Sequence, residues 1–311
     1  MNIVCVEPLG LPENYLMAQQ RRFADLGHTF TYHMSRKEDE ATLIDRMRDA
    51  DIVVISNIKL PESVLSQCPN LKYLSVGFTG LDHIDLEYCR KHNITVQNAA
   101  DYSTTAVSEL AMGMMLDLLR GVTTLDGIIR EGKGRGTFLG RELRGKTVGV
   151  VGTGAIGTAT IRLLLAFGAK VIAYSRTQRP EVAALGVEYM PLADLLKQSD
   201  IVSLHTPLTA DTRGLIGEKE LALMQPSALL VNTARGPVCD IAAVAKALEE
   251  GRLAGAAFDV FEQEPPLPLD HPLLKAKNCL LTPHVAFATE ESFEARGGIV
   301  FDHVEEYLKQ K

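Results

Sequence analysis

Between Lys146 and Leu165 the chain reads KTVGVVGTGAIGTATIRLLL, and no other stretch constrains the fold as tightly. An apolar run, Thr147 to Val151, leads directly into Gly152, Gly154 and Gly157 in the spacing G-x-G-x-x-G, and helix-forming residues follow from Ala155. A glycine triplet alone serves many turns. Set between a strand and a helix it suits a pyrophosphate: the first glycine permits the tight turn, the second lets the backbone approach the phosphates, and the third brings helix against strand. The helix start adds unpaired N–H groups and a positive dipole end. Gly152, Gly154, Ala155, Ile156 and Gly157 are therefore expected to hold a dinucleotide.

The flanking sequence repeats the same rhythm. Before it come NIVCV, TFTY, DIVVIS, LKYLSV and ITVQN, separated by helical patterns at Glu13 to Leu26, Glu38 to Arg48 and Pro61 to Cys68. After it come KVIAYS, VEYM, DIVSLH, ALLVNTA, LAGAAFDVF and NCLLTPH, again with helical segments between them. Short β-branched runs spaced by helices imply parallel sheets covered on both faces. With 311 residues, two α/β domains with doubly wound parallel sheets are expected. From Tyr102 to about Arg130 one long helical pattern, apolar on several sides, is expected to pack between domains or against another subunit, or simply to be a buried core helix. Gly132, Gly134, Gly136 and Gly140 mark a loop after it. Glu290 to Lys309 reads as a closing amphipathic helix.

Several function classes are disfavoured. A net charge of −7 provides no basic stripe for a phosphate backbone, so nucleic acid is not an expected partner. Cys5, Cys68, Cys89, Cys239 and Cys279 are odd in number and far apart, with no C-x-x-C pair, which speaks for free thiols in a reducing cytoplasm and against a metal site or disulfide framework. MNIVCVEPLG lacks the charged leader and apolar stretch of a secretory signal. The apolar segment from Thr104 to Leu119 is interrupted by Glu109 and Asp117, so no membrane span is expected.

About twenty residues beyond the glycine turn, where an acidic residue would hold the adenosine ribose of NAD, the chain has Ser175, Arg176 and Thr177. No carboxylate stands there to repel a 2′-phosphate, and Arg176, with help from Arg179, can donate charge-assisted hydrogen bonds to one. NADP(H) is the favoured cofactor and NAD(H) the alternative, with both arginines then solvated.

Three polar residues follow apolar runs, at the strand ends where doubly wound domains keep their chemistry. Arg235 follows ALLVNTA, Glu264 follows AAFDVFEQ, and His284 follows NCLLTP. Singly each has a bland reading. Together they supply what carbonyl reduction needs: an acid to protonate the oxygen, a carboxylate to orient that acid and keep it protonated, and a cation to grip a 2-oxo acid.

Through GTGAIG, HTPLT (205–209), VNTARG (231–236), FDVFEQEP (258–265) and TPH (282–284), the chain resembles the D-isomer-specific 2-hydroxyacid dehydrogenases over nearly its whole length. The resemblance implies a Rossmann cofactor domain (99–285) inserted in a flavodoxin-like substrate domain (1–98), with residues 286–311 returning to the latter. It carries the catalytic roles to Arg235, Glu264 and His284. It implies that Asp259 holds the nicotinamide carboxamide, and that Thr206, Pro207, Thr233 and Ala234 line the cofactor. FTGLDHID (78–85) resembles the family's substrate loop, where N–H groups near Thr79 and Gly80 bind the substrate carboxylate, and Asn57 is expected to face the same site. Glu264, where formate-oxidising members carry Gln, disfavours formate. His284-Val285-Ala286-Phe287 is closer to lactate-type members, which makes Phe287 a candidate pocket residue as well as a candidate core aromatic. The expected activity is reduction of a small 2-oxo acid, such as glyoxylate or hydroxypyruvate, by a homodimer. The alternative is a nucleotide-sensing protein like the corepressors of this architecture. Those carry added tails, for which a chain running from first strand to last helix leaves little room.

Overall fold

The computed structural model describes residues 1–263 and 266–310, and these form two compact units: Met1–Ser103 with the segment from Ala288 onward, and Thr104–Phe287. In the first unit, β1 (Asn2–Cys5), β2 (Thr29–Tyr32), β3 (Ile52–Ile55), β4 (Tyr73–Val76) and β5 (Thr95–Asn98) make one parallel sheet in the order β2-β1-β3-β4-β5. All four residues of β3 and of β4 are buried, as continuous apolar runs in a sheet covered on both faces must be. The helix Glu290–Lys309 packs Val300, Phe301, Val304 and Tyr307 into this core. Its start is fixed by a reciprocal cap between Thr289 and Ser292, and Ser75 of β4 donates to the Val300 carbonyl at 2.9 Å.

In the second unit, β6 (Thr147–Val151), β7 (Lys170–Tyr174), β8 (Glu188–Tyr189), β9 (Ile201–Leu204), β10 (Leu229–Asn232), β11 (Gly255–Phe258) and β12 (Cys279–Leu281) form a seven-stranded sheet in the order β12-β11-β10-β9-β6-β7-β8, parallel throughout. Strand order reverses at β6 and β9. In an open parallel sheet such a switch point is where loops diverge and a ligand fits, and β6 is the strand that leads into the glycine turn. Both sheets thus have the doubly wound α/β character expected from the sequence.

One local expectation fails. The helical pattern from Tyr102 to Arg130 is two helices, Thr104–Arg120 and Val122–Arg130, divided at Gly121 with φ 62°. A side chain at Gly121 would meet the Phe138 ring at 2.8 Å, so this glycine admits both the left-handed turn and the ring. The first helix is buried along Ala111, Met112, Met114, Met115 and Leu119, whereas the second buries no residue. Among the described residues no helix is long and apolar enough to cross a membrane.

Candidate active site

The glycine turn divides its work as the spacing requires. Gly152 sits at φ 97°, and a Cβ there would lie 2.6 Å from the carbonyl oxygen of His205, which follows β9. A Cβ at Gly157 would collide with the Gly152 carbonyl. Around a Cβ at Gly154 there is nothing within 4 Å. Two glycines therefore close the turn against β9 and the helix Ala155–Ala166, and the third leaves an open approach beside the helix start. That is the shape a pyrophosphate needs. His205 supports the turn from below: its N–H donates to Val151 at 2.8 Å and its Nε2 lies 2.9 Å from Ser203 Oγ. Its Nδ1 is buried without a partner among the described residues, and burial pulls the imidazole down to about 4, so the ring is neutral at pH 7.

Beyond β7, Ser175 is half-buried and Arg176 and Thr177 are exposed. Arg179 pairs with Glu181 at 3.4 Å, whereas Arg176 makes no ion pair among the described residues. The Tyr189 hydroxyl donates to Thr153 Oγ1 at 2.9 Å and accepts the Arg179 N–H at 3.1 Å. This link holds the 175–179 segment to the glycine turn, and nothing in the sequence pattern announced it.

The neighbouring strands β10, β11 and β12 deliver Arg235, Asp259 and His284 to one edge of the sheet. Asn232, fully buried at the end of β10, shapes the first turn: its amide donates to the Arg235 carbonyl at 3.0 Å and its oxygen accepts the Ala234 N–H at 3.0 Å. Arg235 Nη1 reaches the Ala234 carbonyl at 2.8 Å. Gly236 lets the chain beyond β11 press against this turn, because a Cβ there would collide with the Phe261 backbone. The Thr233 hydroxyl is buried without a partner among the described residues, an orphan that a bound amide or ribose would satisfy. Thr206 is half-buried and Pro207 exposed just after β9.

Asp259 fixes the third turn. Its carboxylate, fully buried, accepts the Thr282 hydroxyl at 2.5 Å and the N–H groups of Val285 at 2.8 Å and Ala286 at 2.9 Å, while its carbonyl accepts the His284 N–H at 2.7 Å. Burial pushes the carboxyl up, and these donors and the nearby His284 pull it back. His284 sits in the left-handed region at φ 54°, which the Asp259 clamp stabilises, and the Phe287 ring meets its imidazole edge-on at 5.5 Å. Glu264 lies outside the described residues.

In the first unit, Arg36 Nη1 donates to Asn57 Oδ1 at 2.7 Å, which leaves the Asn57 Nδ2 group as a donor. Asn98 Nδ2 donates to the Thr79 carbonyl at 2.6 Å, and the N–H groups of Thr79 and Gly80 make no hydrogen bond among the described residues. Two donors are thus available to an anion. Sequence reasoning missed Asn98, Asn232, Gly236 and Tyr189: Asn98, Gly236 and Tyr189 act on distant segments, and Asn232 has its local role within an apolar run that reads only as strand.

Residues 112–286 match the family model described as the NAD-binding domain of D-isomer-specific 2-hydroxyacid dehydrogenases, which is more than half of the chain. The chain is 40% identical over 277 residues to a glyoxylate reductase of Thermococcus litoralis, covering 86% of this chain and 83% of that protein. It is 33% identical over 291 residues to a hydroxypyruvate reductase of Blautia hydrogenotrophica, covering 91% and 90%. Among solved structures it resembles an acyclic imino acid reductase in complex with NADPH and D-Arg, with a TM-score of 0.89 at 29% identity, covering 100% of this chain and 98% of that one.

Proposed function

The chain belongs to the D-isomer-specific 2-hydroxyacid dehydrogenases, and we propose that it reduces a small 2-oxo acid of the glyoxylate or hydroxypyruvate class to the D-2-hydroxy acid with NADPH. The observation that carries this reading is the placement of a cation and an imidazole, Arg235 and His284, at the carboxyl ends of β10 and β12, the two strands that flank β11, in a sheet whose switch point holds an open glycine turn. The nicotinamide, when bound, supplies the hydride. As charge develops on the carbonyl oxygen, His284 gives it a proton, and Arg235 holds the substrate's carboxylate and carbonyl in place. Glu264 is assigned the task of orienting the imidazole. The Thr233 hydroxyl and the remaining acceptor capacity of Asp259 are assigned to the nicotinamide amide, and Thr206, Pro207 and Ala234 line the ring. The Thr79 and Gly80 N–H groups and the Asn57 amide take the substrate carboxylate, with Phe287 limiting side-chain size. The relatives named above are all reductases, which gives the corepressor reading no support.

The NADPH preference rests on Arg176, an exposed guanidinium without an ion pair among the described residues, on a loop that lacks the acidic residue NAD needs. A homodimer is proposed because the helix Val122–Arg130 exposes Val122 (60%) and Ile129 (65%), with Leu139 (83%) exposed further along, an apolar face that a second copy would cover. Free thiols at all five cysteines support a reducing, cytoplasmic setting.

A panel of 2-oxo acids assayed with NADPH and NADH tests the reading. Turnover should favour a two- or three-carbon 2-oxo acid with NADPH, and His284→Ala should lower kcat by at least about 100-fold. Near-full turnover in that variant removes the histidine from the chemistry, and a strong NADH preference removes the role of Arg176.

A further inference from the structure

Arg296 lies on the helix Glu290–Lys309 and is 2% exposed, yet it makes no ion pair among the described residues. Its guanidinium instead gathers neutral acceptors from three different loops at the carboxyl end of the first sheet. Nη2 donates to the Leu9 carbonyl, beyond β1. Nη1 lies 3.3 Å from Ser56 Oγ, after β3, and 3.4 Å from the Gly77 carbonyl, after β4. The Phe293 ring covers it at 4.4 Å, the Tyr102 ring lies 5.7 Å away, and Nε has no partner among the described residues. The buried carboxylate whose charge reaches it, Glu7, is otherwise engaged. Glu7 Oε1 accepts the N–H groups of Ser56, Asn57 and Ile58 at 2.8, 3.0 and 3.1 Å, and Oε2 pairs with Arg36 at 2.5 Å.

A buried guanidinium without a carboxylate is expensive, and hydrogen bonds to two carbonyls and to the Ser56 and Tyr102 hydroxyls do not neutralise it. Its position gives the charge a use. In a trans peptide the C=O and N–H point in opposite directions. Arg296 holds the Gly77 carbonyl, and two residues on Asn98 holds the Thr79 carbonyl at 2.6 Å. Each pinned carbonyl turns the N–H of its own peptide the other way and polarises it: the Asn98 bond to Thr79 does so for Gly80 N–H, the donor offered to an anion, and the Arg296 bond to Gly77 does so for Phe78 N–H and anchors the loop two residues upstream.

We propose that Arg296, with Asn98, is a positioning residue for the substrate carboxylate. It sets the Gly77–Gly80 loop in its anion-binding form and supplies the positive charge behind it. This rests on the 2-oxo acid reading above, which wild-type turnover tests separately. Arg296 acts through the loop and touches neither cofactor nor reacting atoms. Its loss should therefore weaken ground state and transition state alike, and appear in KM.

The experiment compares wild type with Arg296→Lys, Arg296→Leu and Asn98→Ala, using glyoxylate as substrate and NADPH fluorescence for cofactor affinity. Expected are a rise in KM for glyoxylate of at least about tenfold in Arg296→Leu and Asn98→Ala, a smaller rise in Arg296→Lys, kcat within about threefold of wild type, and unchanged NADPH affinity. If Arg296→Leu does not fold, Asn98→Ala and Arg296→Lys carry the test, since neither removes a buried charge. An unchanged KM in the folded variants overturns the proposal, as does a loss confined to kcat. Absence of any 2-oxo acid turnover in wild type refutes the functional reading instead.

Discussion

Two turns in this molecule carry the proposed anion sites, and they are held in opposite ways. The cofactor turn, Gly152 to Gly157, is shaped by its own residues: Gly152 and Gly157 close it because no side chain fits, and Gly154 leaves it open. The loop Gly77 to Gly80 is shaped from outside, by Arg296 far along the chain and by Asn98 at the end of β5. A local device can be recognised in twelve residues of sequence. A remote one has no spacing to recognise, because the fold alone brings its parts together.

The contrast can be broken first at Gly157. Alanine there must displace the Gly152 backbone, so unfolding free energy should fall by about 3 kcal/mol or more, measured by denaturant titration, with loss of NADPH binding. A stable, cofactor-binding Gly157→Ala would show that the turn is not closed by its own glycines.

A smaller effect is expected from acid. His205 follows β9 against the cofactor turn, and burial holds its imidazole down to about 4 from the usual 6.5. Above pH 6.5 the folded and unfolded states are both neutral and the group contributes no pH dependence. Below it the unfolded chain takes up the proton first, so stability falls as pH drops from 6.5 toward 4. Between pH 7 and pH 5 the loss amounts to about 2 kcal/mol. Unfolding titrations at both pH values should show this difference in wild type and not in His205→Phe. An equal acid loss in both proteins would remove the buried imidazole from the account.

The smallest stability change belongs to Gly154→Ala, whose Cβ meets open space. Unfolding free energy should move by less than about 0.5 kcal/mol, while NADPH affinity falls because the methyl group occupies the phosphate approach. Equal destabilisation by Gly154→Ala and Gly157→Ala would erase the division of labour among the glycines.

Much of the architecture was legible because it is local. Short apolar, β-branched runs separated by helical patterns marked all twelve strands, and the helix Glu290–Lys309 occupies the span its pattern indicated. The break at Gly121 was not legible: the apolar pattern continues across it, and the turn depends on the Phe138 ring arriving from a later loop. Arg235 and His284 could be located as polar residues ending apolar runs. The clamp that orients the His284 turn could not, because Asp259, Thr282, Val285 and Ala286 meet only when β11 and β12 pair.

The sequence by itself determined the two parallel α/β sheets, the glycine turn, the absence of an acidic residue after β7, and the strand ends that bear Arg235 and His284. These depend on residue type and short-range spacing, which the chain carries before it folds. Tertiary structure decided which carbonyls are pinned and which N–H groups are left to donate. It also decided that Asp259 shapes the turn carrying the imidazole, and that Arg296 lies buried behind the Gly77–Gly80 loop. Hydrogen bonds of this kind join residues up to 287 positions apart, and packing creates them.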